Sequence, residues 1–120
     1  MKISIKRVHD PVEDDGVRVL VDRVWPRGMS KERVRADVWL KDAAPSTALR
    51  QWFGHTPALW EEFKRRYFSE LDARPDVVAR LLELGNHETL TLLFSARDRD
   101  CNQAAALKEY LETQQEASSG

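Results

Sequence analysis

Cysteine is the scarcest chemical resource of this chain: Cys101 is the only one in 120 residues. A lone thiol excludes an internal disulfide, and the three histidines, His9, His55 and His87, are too scattered to join it at the ligand spacing of a metal site. No G-x-S-x-G, Walker A, G-x-G-x-x-G or H-E-x-x-H motif is present, so the sequence names no catalytic residue and implies no cofactor. Long apolar runs are missing too. None nears the ~20 residues of a bilayer span, and the N-terminal MKISIKRVHD interleaves charge with Ile and Val, unlike a secretory leader. No membrane association is expected, and a cytoplasmic address follows. Nor is there an excess of either sign of charge. Nineteen Lys and Arg face twenty Asp and Glu for a net charge of -1, so no global field draws the chain onto a polyanion or an anionic membrane.

What is present fits one globular unit. A 42% hydrophobic fraction beside 32% charged residues describes a core with a well-solvated surface, in a chain long enough for one domain and too short for two. Residues 1–115 are read as that domain and 116–120 (EASSG) as a disordered tail. The oddity is tryptophan. All four, Trp25, Trp39, Trp52 and Trp60, fall within one stretch of the middle of the chain.

Patterning supplies the elements. Lys2 to Val8 alternates charge with Ile3 and Ile5, as a strand with one buried face does, whereas VRVLV (17–21) is nearly all apolar, as an inner strand is. The residues between, HDPVEDDG, carry four carboxylates with Pro and Gly and read as a solvated turn that could close a hairpin. Ser30 can cap a short helical turn, and ADVWL (36–40) is a short strand or an extended loop. Ser46 is placed to cap TALRQWF, which Gly54 ends. Thr56 with Pro57 opens what reads as the longest helix, whose Trp60, Phe63, Tyr67 and Leu71 form a core-facing stripe. Pro75 opens VVARLLEL, ended by Gly85 and Asn86. LLF near Leu92 marks the centre of the sheet, and a last helix starts near Cys101. Apolar strands alternating with helices predict an α/β fold: a compact three-layer domain whose small, mixed or mostly parallel sheet is flanked by helices.

In such sheets the ligand crevice lies beyond the carboxyl ends of the strands. Two segments leave from there. DRVWPRG (22–28) offers Asp22, Arg23, Trp25 and Arg27 on a backbone stiffened by Pro26; arginine suits bidentate recognition of phosphate or carboxylate, and Trp25 can stack on a planar group. SARDRDCN (95–102) adds Ser95, Arg97 and Asn102, while Trp39 and Lys41 come from the middle segment. Asp98 or Asp100 would cap the last helix. Cys101 gains from Arg99 and a helix start but is opposed by those two aspartates, so it makes a poor nucleophile. A small anionic ligand in a cleft is the leading expectation, with a catalytic step left open. The alternatives are a nucleic-acid or regulatory module using the basic stretch from Arg23 to Arg35, which the net charge disfavours, and an interaction subunit or homo-oligomer.

The segments VLVDRVWPRG (19–28), DVWLKDAAPSTALRQWFGH (37–55) and TLLFSARDRDCNQAAAL (91–107) resemble the DUF488 family, in its small YeaO-like branch, from Lys6 to about Leu111. The resemblance implies a compact cytosolic α/β domain of bacterial type and names no reaction. It carries Asp22, Arg23, Trp25, Pro26, Arg27, Gly28, Trp39, Lys41, Pro45, Ser46, Arg50, Phe53, Ser95, Ala96 and Asn102 as family-like positions. The chain departs from that pattern at Cys101 and Gln103, where relatives tend to carry His or Gln and His or Asn. That departure weakens any proton-transfer or nucleophilic role at the start of the last helix.

Overall fold

Four segments rich in Ile, Val and Leu pair into one parallel sheet: β1 (Lys2–Arg7), β2 (Val17–Leu20), β3 (Val38–Trp39) and β4 (Thr89–Phe94), in the order β1-β4-β2-β3. The computed structural model describes residues 1–86 and 88–119, with the side chains of 118 and 119 left out, so His87 and Gly120 lie outside the described residues. As the apolar run predicts, β4 takes an inner position and is buried from Leu90 to Phe94. Strand alternation splits the sheet into two faces. Ile3, Val19, Leu90, Leu92 and Phe94 join the larger core, while Leu20 and Leu93 join a smaller one with Val8, Met29 and Val34.

The layers are unequal. Side chains from α2 (Thr47–Phe53), α3 (Trp60–Asp72), α4 (Pro75–Leu84) and α5 (Gln103–Ser119) all pack into the larger core. Among the described residues, the opposite face receives the single-turn helix α1 (Lys31–Val34), capped by the Ser30 hydroxyl, and the loops around it. The aromatic stripe of α3 is core, as its period implies: Phe63, Tyr67 and Leu71 are buried, and Phe63 stacks on Phe53 at 4.4 Å. Among the described residues no helix is long and apolar enough to cross a membrane.

Four local expectations are corrected. β1 and β2 form no hairpin, because β4 lies between them and all three run parallel. Pairing each with the most apolar strand buries more surface than pairing the charged β1 with β2. The connection from Val8 to Gly16 is accordingly no simple solvated turn. Asp15, 6% exposed, is ion-paired to Lys6 at 2.7 Å and to Arg18, and its carbonyl accepts the Thr91 hydroxyl at 2.7 Å. Burial alone pushes the Asp15 carboxyl up, but Lys6, the Glu13 N–H and Arg18 outweigh it and hold the group below its ordinary value. Gly16 enters β2 at φ +64°, and a Cβ there would lie 2.1 Å from the Thr89 carbonyl oxygen. Thr56 does not cap α3 either: its hydroxyl faces the Gly54 carbonyl, a one-turn 3-10 helix (Pro57–Leu59) precedes α3, and the longest helix is α5, 17 residues against 13. Helix α5 runs from Gln103 to Ser119.

Candidate functional site

β2 and β4 are neighbours in register, Leu20 opposite Leu93, so the loops that follow them leave the sheet side by side. Their junction is tied by Asp22. One carboxylate oxygen accepts the Ser95 N–H at 3.1 Å and the Ser95 hydroxyl at 2.5 Å, the other accepts the Gln103 side-chain amide, and the Asp22 carbonyl accepts the Trp39 indole N–H at 2.8 Å. One side chain thus joins the ends of two strands to the first turn of α5. Burial pushes the Asp22 carboxyl above its ordinary value, opposed by the two Ser95 donors, the Arg50 charge and Gln103.

The start of α5 is built by its own short polar side chains. Asn102 caps the helix by accepting the Ala105 N–H at 2.8 Å and donates to the Asp98 carbonyl at 2.9 Å. Asp98, for its part, holds the loop before the cap by accepting the Asp100 and Cys101 N–H groups at 2.9 Å. The alternating charges of this loop separate in space: Arg97 faces the crevice, while Arg99 makes a two-point pair with Asp10, 2.9 Å at each contact. That pair holds the Asp10 carboxyl at about 2. Engaged with Asp10, Arg99 is not a partner for Cys101, whose thiol is pushed up by burial and then by Asp98 and Asp100.

Helix α2 forms the facing wall. Ser46 caps it through the Leu49 N–H at 3.1 Å and is itself gripped by Glu70 of α3, at 2.8 Å through its N–H and 2.6 Å through its hydroxyl. The preceding carbonyls are held as well. Buried Tyr67 donates to Ala43, Arg74 to Ala44 at 2.9 Å, and Arg23 to Pro45 at 3.3 Å. Thr47, Arg50 and Gln51, at helical spacings of three and four, then look into the crevice.

Between these walls lies a cleft of about 880 Å³. Asp22, Arg23, Trp25 and Arg27 from the first loop and Ser95, Arg97 and Asn102 from the second all line it. Trp39 and Lys41 do not; they stand behind. The Trp39 ring meets Trp25 edge-on at 5.3 Å, and the Lys41 ammonium sits 4.3 Å over the Trp39 ring, so both brace the wall from outside. Two further residues line the cleft: Arg50, one helical turn after the Ser46 cap and a family-like position in the sequence, and Gln103, which opens the helix after a strand-end loop and which sequence reasoning did not place in the site. His55 also lines the cleft, in a left-handed backbone (φ 55°) that follows Gly54. Among the described residues no three His, Cys, Asp or Glu side chains stand together as a metal site.

The charge of this cleft is uneven. Four guanidiniums, of Arg23, Arg27, Arg50 and Arg97, meet two carboxylates, and Asp22 already serves Ser95 and Gln103. Neither Arg27 nor Arg97 has a side-chain hydrogen bond or ion pair within the described chain.

Comparison with known proteins agrees with the residue pattern. The chain is 40% identical over 112 residues to the uncharacterised protein YeaO of Escherichia coli, covering 92% of this chain and 97% of that one. It is 38% identical over 111 residues to the uncharacterised protein Rv3073c of Mycobacterium tuberculosis and equally to Mb3100c of Mycobacterium bovis, covering 92% of this chain and 93% of each. No solved structure matches. The family model described as the inactive DUF488-N3 subclade matches residues 2–120, and the chain belongs to that family.

Proposed function

We propose that the protein binds an anionic ligand, carrying phosphate or carboxylate, in the cleft at the carboxyl ends of β2 and β4, and that it binds without turning the ligand over. One observation carries the reading: Arg27, Arg50 and Arg97 come from three separate segments into one cleft, and among the described residues no carboxylate is hydrogen-bonded to any of them. Guanidiniums gathered in a concave site, of which Arg50 feels the Asp22 charge, favour a multivalent oxyanion, which each can meet with two donors. Asp22 and Asn102 hold the walls, so their part is to orient the arginines. The reading without turnover follows the description of the matching subclade as inactive, and the raised Cys101 thiol suits it by disfavouring thiolate attack. A cytosolic setting suits this reading, since a free thiol lines the site.

Thermal denaturation in potassium phosphate against potassium chloride of equal ionic strength tests it. A ligand at a hundred times its Kd stabilises the native state by about 2.7 kcal/mol, a rise in Tm of several degrees. That rise is expected in the native protein and should vanish in Arg50→Ala/Arg97→Ala. An equal rise in the double variant, or none at tens of millimolar phosphate, overturns the reading.

A further inference from the structure

The cleft is much larger than its charged groups need. An oxyanion such as phosphate displaces a few waters of about 30 Å³ each, a small part of 880 Å³. Part of the remaining space is bounded by apolar groups, beside polar ones such as Thr47, Gln51 and His55. Trp25 contributes only its ring, because its indole N–H already donates to the Met29 carbonyl at 2.6 Å, and the ring is braced by Trp39 at 69° between the planes. Val24 is 64% exposed, an unusual outlay of apolar surface, and it lies on the same wall beside Trp25 and Pro26. Phe53 closes the cleft from α2. The polar side sets the charge: four guanidiniums against two carboxylates leave two positive charges to be matched.

We infer that the ligand is a dianion on a planar apolar body, the chemistry of an aryl phosphate monoester, with the head among Arg27, Arg50 and Arg97 and the body against Trp25 and Val24. A phosphate monoester carries about two negative charges at neutral pH, where a simple carboxylate carries one. The inference rests on the anion-binding reading and adds the identity of what the anion is attached to.

Calorimetric titration of the full chain with inorganic phosphate, phenyl phosphate, benzoate and phenol tests it. Phenyl phosphate should bind about tenfold or more tightly than inorganic phosphate, the factor a buried ring supplies, and more tightly than benzoate or phenol. It should also quench tryptophan fluorescence, an effect reduced in Trp25→Phe. Because Val24 is exposed, Val24→Ala will fold, and it should weaken phenyl phosphate roughly fourfold while leaving inorganic phosphate unchanged. Equal affinity for the two phosphates, or an unchanged phenyl phosphate affinity in Val24→Ala, overturns the apolar body and spares the anion site. Benzoate matching phenyl phosphate overturns the dianion. Phenol matching it, or no binding of any titrant, overturns the anion reading as well.

Discussion

Asp22 offers the sharpest test of how the cleft is built. Its carboxylate accepts three hydrogen bonds, two from Ser95 and one from Gln103, so Asp22→Ala and Asp22→Asn remove different things. Alanine strands the Ser95 N–H and the Gln103 amide. A buried donor left without a partner costs about 1–3 kcal/mol, and relief of a charge that burial disfavours returns part of it, so about 2 kcal/mol of destabilisation is expected. For a chain of this length that is a fall in Tm of about 8 °C. Asparagine keeps the acceptor facing Ser95 and presents an amide N–H₂ to Gln103, which can rotate its own amide to accept. Its cost should stay below about 1 kcal/mol. The pH dependence has a definite sign. With the folded-state pKa raised above the unfolded one, the native state binds a proton more tightly in the window between them, so this group's contribution to stability falls as pH rises from 3.8 through the folded value. Asp22→Asn should remove that slope and, by deleting a negative charge from the cleft, tighten phosphate binding. Urea denaturation of the three proteins across pH is the assay. Asparagine as damaging as alanine would refute the argument that hydrogen-bond geometry, and not charge, fixes the junction.

Other predictions follow from single features. Asp10, held at about 2 by Arg99 and the Arg7 N–H, lends stability that is present above its unfolded value of 3.8 and lost as pH falls through 2; Asp10→Asn should flatten the stability curve in that window, and an unchanged acid limb would contradict the pair. Gly16→Ala forces a Cβ against the Thr89 carbonyl, whereas Gly28 has a similar positive φ of 76° with no atom within 4 Å of its would-be Cβ. Gly28→Ala should therefore cost only the backbone strain of about 1–2 kcal/mol and Gly16→Ala distinctly more, as read by Tm; equal losses would mean that the contact at Thr89 relaxes freely.

How much was legible depended on the range of the interaction. Ser30 and Ser46 act as caps, Gly54 ends α2, and VRVL and TLTLLF are inner strands, because capping, turn conformation and double-sided burial are set by residues a few positions apart. The same locality placed an arginine-bearing loop at each of two strand ends, and the pairing of β2 with β4 then brings seven of the nine candidate residues into one cleft. Local pattern failed where a distant partner decided. Nothing in HDPVEDDG says that Asp15 is buried, because Lys6, Arg18 and Thr91 arrive there only when β4 separates β1 from β2. Arg97 and Arg99 are equivalent in sequence, yet Asp10, 89 positions from Arg99, claims one and leaves the other facing the cleft. Trp39 and Lys41 read as lining residues and brace Trp25 from behind, while Arg50 enters the cleft from α2, whose start is held by Glu70 and Tyr67 of α3. The sequence by itself determined the α/β class, the inner strands and the supply of arginines. Tertiary structure alone decided which charges were neutralised, since a charge is cancelled by whatever lies a few ångströms away in space, at any distance along the chain.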